Sequence, residues 1–142
     1  MLSFSVSDYF YIQLFSSLFM TGLIWFVQIV HYPLFAYIEP SHFPHYAKKH
    51  QRLTSWVVGP VMLLEVFSAM ILTVKYNVLW LNILLIMGIW LSTAFLQIPL
   101  HGQLSHHYDI NNIHSLTNGN WIRTILWTVK SIVLLFAIVD FI

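Results

Sequence analysis

The chain contains no cysteine. Disulfides, iron–sulfur clusters, thiolate metal sites and covalently attached c-type haem are therefore excluded. Charge is nearly as scarce. Six basic and five acidic side chains make up 8% of the 142 residues, where a soluble globular domain carries about 25%. So few ions cannot cover a water-exposed surface of this size. The net charge of +1 with histidine neutral, and the lack of any basic stripe, exclude nucleic acid as a partner, because nothing is present to neutralise phosphates. The chain is instead apolar, with 58% hydrophobic and 17% aromatic residues and a mean hydropathy of +0.75. The solvent for most of its surface is expected to be the lipid bilayer.

Four apolar runs, at residues 9–31, 53–74, 78–100 and 121–142, are long enough to cross a membrane, since a crossing takes about 20 residues. The chain reads as one domain over residues 1–142, an all-α polytopic membrane four-helix bundle. Ser7 and Asp8 are expected to cap the first helix and Pro33 to end it. The short link at 75–77 makes the second and third helices a tight antiparallel hairpin. Residues 1–7 carry no positive charge and no small-residue cleavage site follows, so the first helix is expected to stay in the mature chain. Residues 32–52, rich in Tyr, Phe and Pro, read as a segment lying at headgroup level. Lys48, Lys49, Arg52 and Arg123 fall on the side of the two long connections and only Lys75 on the other. By the positive-inside rule the first side is cytoplasmic and both termini face out.

All eight histidines lie in those two connections or at their edges: His31, His42, His45 and His50, then His101, His106, His107 and His114. Both groups emerge at the same membrane face. His31, His50 and His101 sit closest to helix ends. Three imidazoles suit Zn, Cu or Fe as a metal site, and two axial imidazoles suit haem b. Gln28 and Gln97 lie one turn deeper, where they could hydrogen-bond such ligands. Arg52 and Arg123 could hold propionates, a quinone carbonyl or a lipid phosphate. The other five histidines read as solvated interfacial residues.

Glu65 lies near the middle of the second span, roughly 18 Å deep at the helical rise, and Lys130 at similar depth in the fourth. Asn120, Arg123, Trp127 and Lys130 follow spacings of three, four and three and so form one stripe. That stripe is expected to face the interior, with Trp127 and Arg123 beside any cofactor and Glu65 paired with Lys130 as candidate catalytic or proton-relay groups. Gly59 and Pro60 could open a cavity beside Glu65. A weak internal repeat joins Gln28/His31 to Gln97/His101 and Arg52/Trp56 to Arg123/Trp127. It points to two tandem helical hairpins around an axis along the membrane normal.

The strings Trp25-Phe26-Val27-Gln28-Ile29-Val30-His31-Tyr32-Pro33-Leu34-Phe35, Trp56-Val57-Val58-Gly59-Pro60, Gln97-Ile98-Pro99-Leu100-His101-Gly102 and Asn120-Trp121-Ile122-Arg123-Thr124 resemble those of a family of small four-span bacterial membrane proteins to which no reaction has been assigned. That resemblance covers most of the chain and implies a four-helix bundle in a bacterial inner membrane. In plan rather than motif, the chain is also similar to the four-span bacterial protoporphyrinogen oxidases, which implies no particular residues. Two functions compete. One is a haem- or metal-dependent membrane oxidoreductase acting on a hydrophobic small molecule or quinone. The other is a non-enzymatic subunit, chaperone or transporter component whose polar residues fix helix packing. A proton-coupled carrier would need the protein to form an oligomer.

Overall fold

In a computed structural model of the chain, residues 5–75 and 80–140 are described; most of the link expected at 75–77 lies outside them. Among the described residues the α-helices are α1 (Val6–Phe26), α2 (Tyr32–Leu34), α3 (Phe43–Lys75), α4 (Trp80–Ser92), α5 (Ile98–Leu104) and α6 (Ile110–Ala137), with no strand. They build four rods. The first runs from α1 through a π turn (Val27–His31), α2 and a 3-10 turn (Phe35–Tyr37). The third joins α4 to α5 through a second π turn (Thr93–Gln97). The rods Val6–Tyr37, Phe43–Val74, Trp80–Leu104 and Ile110–Ala137 are each long and apolar enough to cross a membrane. This is an all-α four-helix bundle, and its four apolar helices suit an integral membrane protein.

The α1 helix packs against α3 and α6, and α4 packs against the same two. The rods therefore follow one another around the bundle, with α1 diagonal to α4 and α3 diagonal to α6. Apolar clusters stack along the axis. Phe10, Leu14, Leu72 and Leu134 close the end where α1 begins. Met20, Ile24, Met62, Ile89 and Trp127 fill the middle. Tyr32, Phe35, Phe43, Ala47, Leu104, Ile113 and Leu116 close the histidine end. The outward face is apolar too: Phe15 is 71%, Phe95 73% and Phe136 80% exposed. Water would not tolerate so many large exposed rings, whereas hydrocarbon does.

The first helix starts earlier than expected. Ser5, not Ser7, is its N-cap. The Ser5 hydroxyl accepts from the Asp8 N–H at 3.3 Å, and the Asp8 carboxylate accepts from the Ser5 N–H at 2.6 Å. Asp8 can close this reciprocal pair only from the third helical position. Pro33 does not end the first rod, and residues 32–52 are largely helical. The chain stays helical through α2 and Tyr37, and α3 already begins at Phe43. The fourth rod likewise begins at Ile110, with Asp109 accepting from the Asn111 N–H at 2.8 Å.

Why the helix survives Pro33 is visible in its hydrogen bonds. Proline donates nothing, and its ring crowds the carbonyl four residues back. The first rod widens just before it, so that the Tyr32 N–H reaches the Val27 carbonyl five residues back. The third rod repeats the solution before Pro99, the Ile98 N–H reaching the Thr93 carbonyl. In both rods proline stands two residues beyond the last π residue. The backbone repeat therefore matches Pro33 to Pro99 and His31 to Gln97, three residues out of register with the Gln28/Gln97 match read in the sequence and four with His31/His101.

Candidate functional site

Polar residues cross the bundle at two levels. The first level ties the diagonals together. The Lys130 Nζ donates to Glu65 Oε1 at 2.6 Å, and the indole Nε1 of Trp127 donates to Glu65 Oε2 at 3.1 Å. Glu65 and Lys130 are completely enclosed. Gln13 of α1 joins them when its Nε2 donates to the Glu65 carbonyl at 2.8 Å. Its Oε1 then accepts from Asn82 Nδ2 of α4 at 3.1 Å and from Lys130 Nζ at 3.2 Å. Ser17, Thr21 and Ser131 link α1 to α6 beside this group, at 2.9 Å and 2.7 Å. A buried ion pair persists in a low dielectric only when its remaining polar atoms are satisfied, and this layer satisfies them.

The second level lies toward the histidine end and is organised by Arg123. Its Nε and Nη2 donate to Asn120 Oδ1 at 3.0 and 2.5 Å. Nη2 also donates to Gln97 Oε1 at 3.2 Å and to the Tyr32 hydroxyl at 3.3 Å. Tyr32 continues the chain to His101 Nε2 at 2.9 Å. The His31 Nε2 and His50 Nδ1 stand 3.1 Å apart, with the Thr54 hydroxyl 3.2 Å from the same His50 nitrogen. His50 and His101 have ring centroids 5.8 Å apart. Gln51 Nε2 donates to the His101 carbonyl. Phe35 meets the rings of His31 and His50 edge-on at 5.1 and 5.3 Å.

Between the two levels is a cavity of about 570 Å³. Met20, Leu23, Ile24, Val58 and Met62 form its apolar body, Trp127 its floor toward Glu65, and His31, His50, His101, Tyr32, Gln97 and Arg123 its polar end. Ligand cavities run about 300–1,000 Å³, mostly apolar with a few converging polar groups. Two polar atoms here have no hydrogen-bond partner despite being buried: Gln97 Nε2 and His101 Nδ1. The Gln97 amide is held close over α6 because Gly119 has no side chain; a Cβ there would stand 3.3 Å from Nε2.

The residues singled out from sequence divide clearly. His31, His50, His101, Gln97, Arg123 and Trp127 line the one cavity. Glu65 and Lys130 are paired behind its floor, so the cavity near Gly59 opens on the histidine side of Trp127 and not beside Glu65. Gln28 is not in the cavity wall. Its Nε2 donates to the Thr117 carbonyl at 3.1 Å, and its Oε1 accepts from Asn120 at 2.9 Å, so it braces Arg123 from behind. Arg52 does not belong to the site. It is exposed, with Trp56 one turn on 76% exposed. The reason is helical phase: His50, Gln51, Thr54, Ser55 and Val58 carry the inward face of α3, and positions 52 and 56 fall on another face. His42, His45, His106, His107 and His114 are exposed.

The three imidazoles share the cavity wall but do not aim at one point. His31 and His50 turn nitrogens to each other, and His101 Nε2 to Tyr32. A three-histidine centre needs each nitrogen about 2.0–2.1 Å from one ion. Among the described residues no three His, Cys, Asp or Glu side chains form a group that would hold a metal ion. Sequence reasoning passed over Tyr32 and Asn120 as site residues, although Tyr32 adjoins His31 and Asn120 opens the Arg123 stripe.

No family model, curated protein or solved structure matches the chain.

Proposed function

We propose that this chain is an integral membrane protein that draws a lipid-soluble small molecule into the cavity at its histidine end, and that the chemistry there is oxidoreduction with proton exchange. The cavity itself carries the reading: an apolar body open to a small cluster of hydrogen-bonding groups, two of them buried without partners. Tyr32 and His101, joined at 2.9 Å, are placed to hand a proton to or from a bound head group. The molecule proposed is a quinone or a tetrapyrrole of the haem class, a reading supported by a mostly apolar cavity of about 570 Å³ with one polar end. His31, His50 and His101 act in this reading as proton-handling and orienting groups. One observation favours the second reading, a non-enzymatic membrane subunit: the bonds of Gln28 to Thr117 and Asn120 join helices without facing the cavity.

Gly59 separates the two. It lines the cavity, and a Cβ added there meets nothing within 4 Å. Gly59→Phe is expected to leave the bundle inserted and folded while its ring fills the cavity. The amount of small molecule extracted with the purified protein should then fall about tenfold, roughly 1.4 kcal/mol. Absorption and mass spectra of the extract give the measurement. A wild-type protein with no bound molecule, and an unaltered Gly59→Phe phenotype, would leave the packing reading in place.

The orientation and the compartment belong to the same proposal. The positive residues at the histidine end support a reading in which that end faces the cytoplasm and both termini lie outside a bacterial inner membrane. A reporter fused after Ile142 is expected to read periplasmic; a cytoplasmic signal there would reverse the orientation.

A further inference from the structure

Among the described residues Arg123 has no counter-ion. An arginine side chain stays protonated in proteins, and this one is only 8% exposed on a rod apolar enough to cross a membrane. Its partners are all neutral: the Asn120 and Gln97 side-chain oxygens and the Tyr32 hydroxyl. The chain has five acidic residues in all, and the four whose side chains are described have other partners. Asp8 is bonded to Ser5. Glu39 is held by His42 and Ser41. Glu65 is paired with Lys130. Asp109 caps α6 at Asn111. Asp140 lies beyond the end of α6, about 25 Å from Arg123 along the axis at the helical rise. A buried charge with neutral neighbours alone is costly, and buried ions are ordinarily paired.

The guanidinium is also incompletely used. Among the described residues its Nη1 donates to nothing, while Nε and Nη2 are engaged. Arg123, Gln97 and His101 all line the cavity. Polar side chains thus gather around one positive charge, at the polar end of an otherwise apolar chamber. A single negative charge spread over oxygens would complete both the charge and the hydrogen bonds, as in planar guanidinium–oxyanion pairs.

We infer that the cavity's ligand is an amphiphile carrying a monoanionic oxygen head, a carboxylate or a phosphodiester, which serves as the counter-ion of Arg123 with its apolar tail against Met20, Leu23, Ile24 and Met62. This rests on the cavity reading above and narrows it: a neutral quinone head would leave the arginine uncompensated. Gln97 and His101 position the charge, Gln97 Oε1 by accepting from Arg123 and His101 Nε2 by holding the Tyr32 hydroxyl to which Arg123 also donates.

The test is equilibrium binding by native mass spectrometry of the full chain in non-ionic detergent, with four probes. Palmitic acid is compared with its methyl ester, and phosphatidylglycerol with diacylglycerol of the same chains. At least one anion is expected to bind tenfold or more above its neutral counterpart. Preference for the acid assigns the source to a free carboxylate, and preference for phosphatidylglycerol assigns it to a lipid headgroup. Arg123→Gln should abolish the preference while keeping the neutral probe bound, and Arg123→Lys should retain part of it. Gln97→Ala, which leaves the charge in place, should reduce it by a smaller factor. Should Arg123→Gln fail to insert, the wild-type ratio still decides. Equal binding of anion and neutral partner in both pairs overturns the inference and leaves the cavity reading standing. Binding of none of the four overturns both.

Discussion

Glu65→Ala is expected to destabilise the bundle by about 3–5 kcal/mol, and Lys130→Ala by a similar amount, because each leaves the other's charge buried without its partner. The two groups lie 2.6 Å apart and are shut off from solvent, so the figure needs no reduction for screening. The combined Glu65→Gln, Lys130→Met variant is expected to lie within about 1 kcal/mol of the parent, since well-packed neutral replacements of a buried pair are often harmless. Glutamine also keeps an oxygen for the Trp127 indole. Reversible unfolding in mixed micelles of dodecyl sulfate and a non-ionic detergent gives all three values. A double variant as unstable as the worse single one would mean that the pair is favourable beyond its mutual neutralisation.

Trp127 is expected to show a second large effect, and one that divides into two parts. The side chain is fully buried. It touches the middle apolar cluster, forms the cavity floor and donates to Glu65 Oε2 at 3.1 Å. Trp127→Ala removes all three roles and should cost about 3–5 kcal/mol. Trp127→Phe keeps most of the packing and loses the N–H, leaving a buried carboxylate oxygen short of a donor, for about 1–3 kcal/mol. The same unfolding experiment separates them. A Phe variant indistinguishable from the parent would show that the indole bond contributes nothing and that Glu65 depends on Lys130 and its neighbours alone. The Glu65 and Trp127 effects should not add, because the residues share a hydrogen bond.

The parts of this arrangement that were legible in the sequence follow from fixed helical numbers. Glu65 and Lys130 meet because equal residue counts along two helices give equal depth. Asn120, Arg123, Trp127 and Lys130 share the inward face because three- and four-residue steps return to one side of a helix. His31, His50 and His101 come to one end because His31 and His50 flank one connection and two crossings bring His101 back to the same side. Other parts depend on information that composition does not hold. In lipid both faces of a helix are apolar, so nothing in α3 marked Arg52 and Trp56 as outward. The π turns were invisible because a proline reads as a stop, whereas neighbouring rods hold the widened helix together past Pro33 and Pro99. Tyr32 reads as an interfacial aromatic when the first rod is expected to end beside it at Pro33. With the rod continuing, its hydroxyl turns inward to Arg123 and His101.

The widened turns also set a rule for how the chain can change length. A π turn holds one residue more than the α-helix requires. Deleting a single residue within Val27–His31 or Thr93–Gln97 would let that rod close into ordinary helix without breaking its span. Everything between the deletion and the histidine end would then keep nearly its present facing, because the widened turn already absorbs the extra residue. Tyr32 and Phe35 in the first rod, and His101 in the third, would stay turned toward the bundle axis. A residue lost elsewhere in these rods would instead turn that end by about 100°. The two widened turns are therefore the places where the membrane crossing and the cavity both tolerate a lost residue.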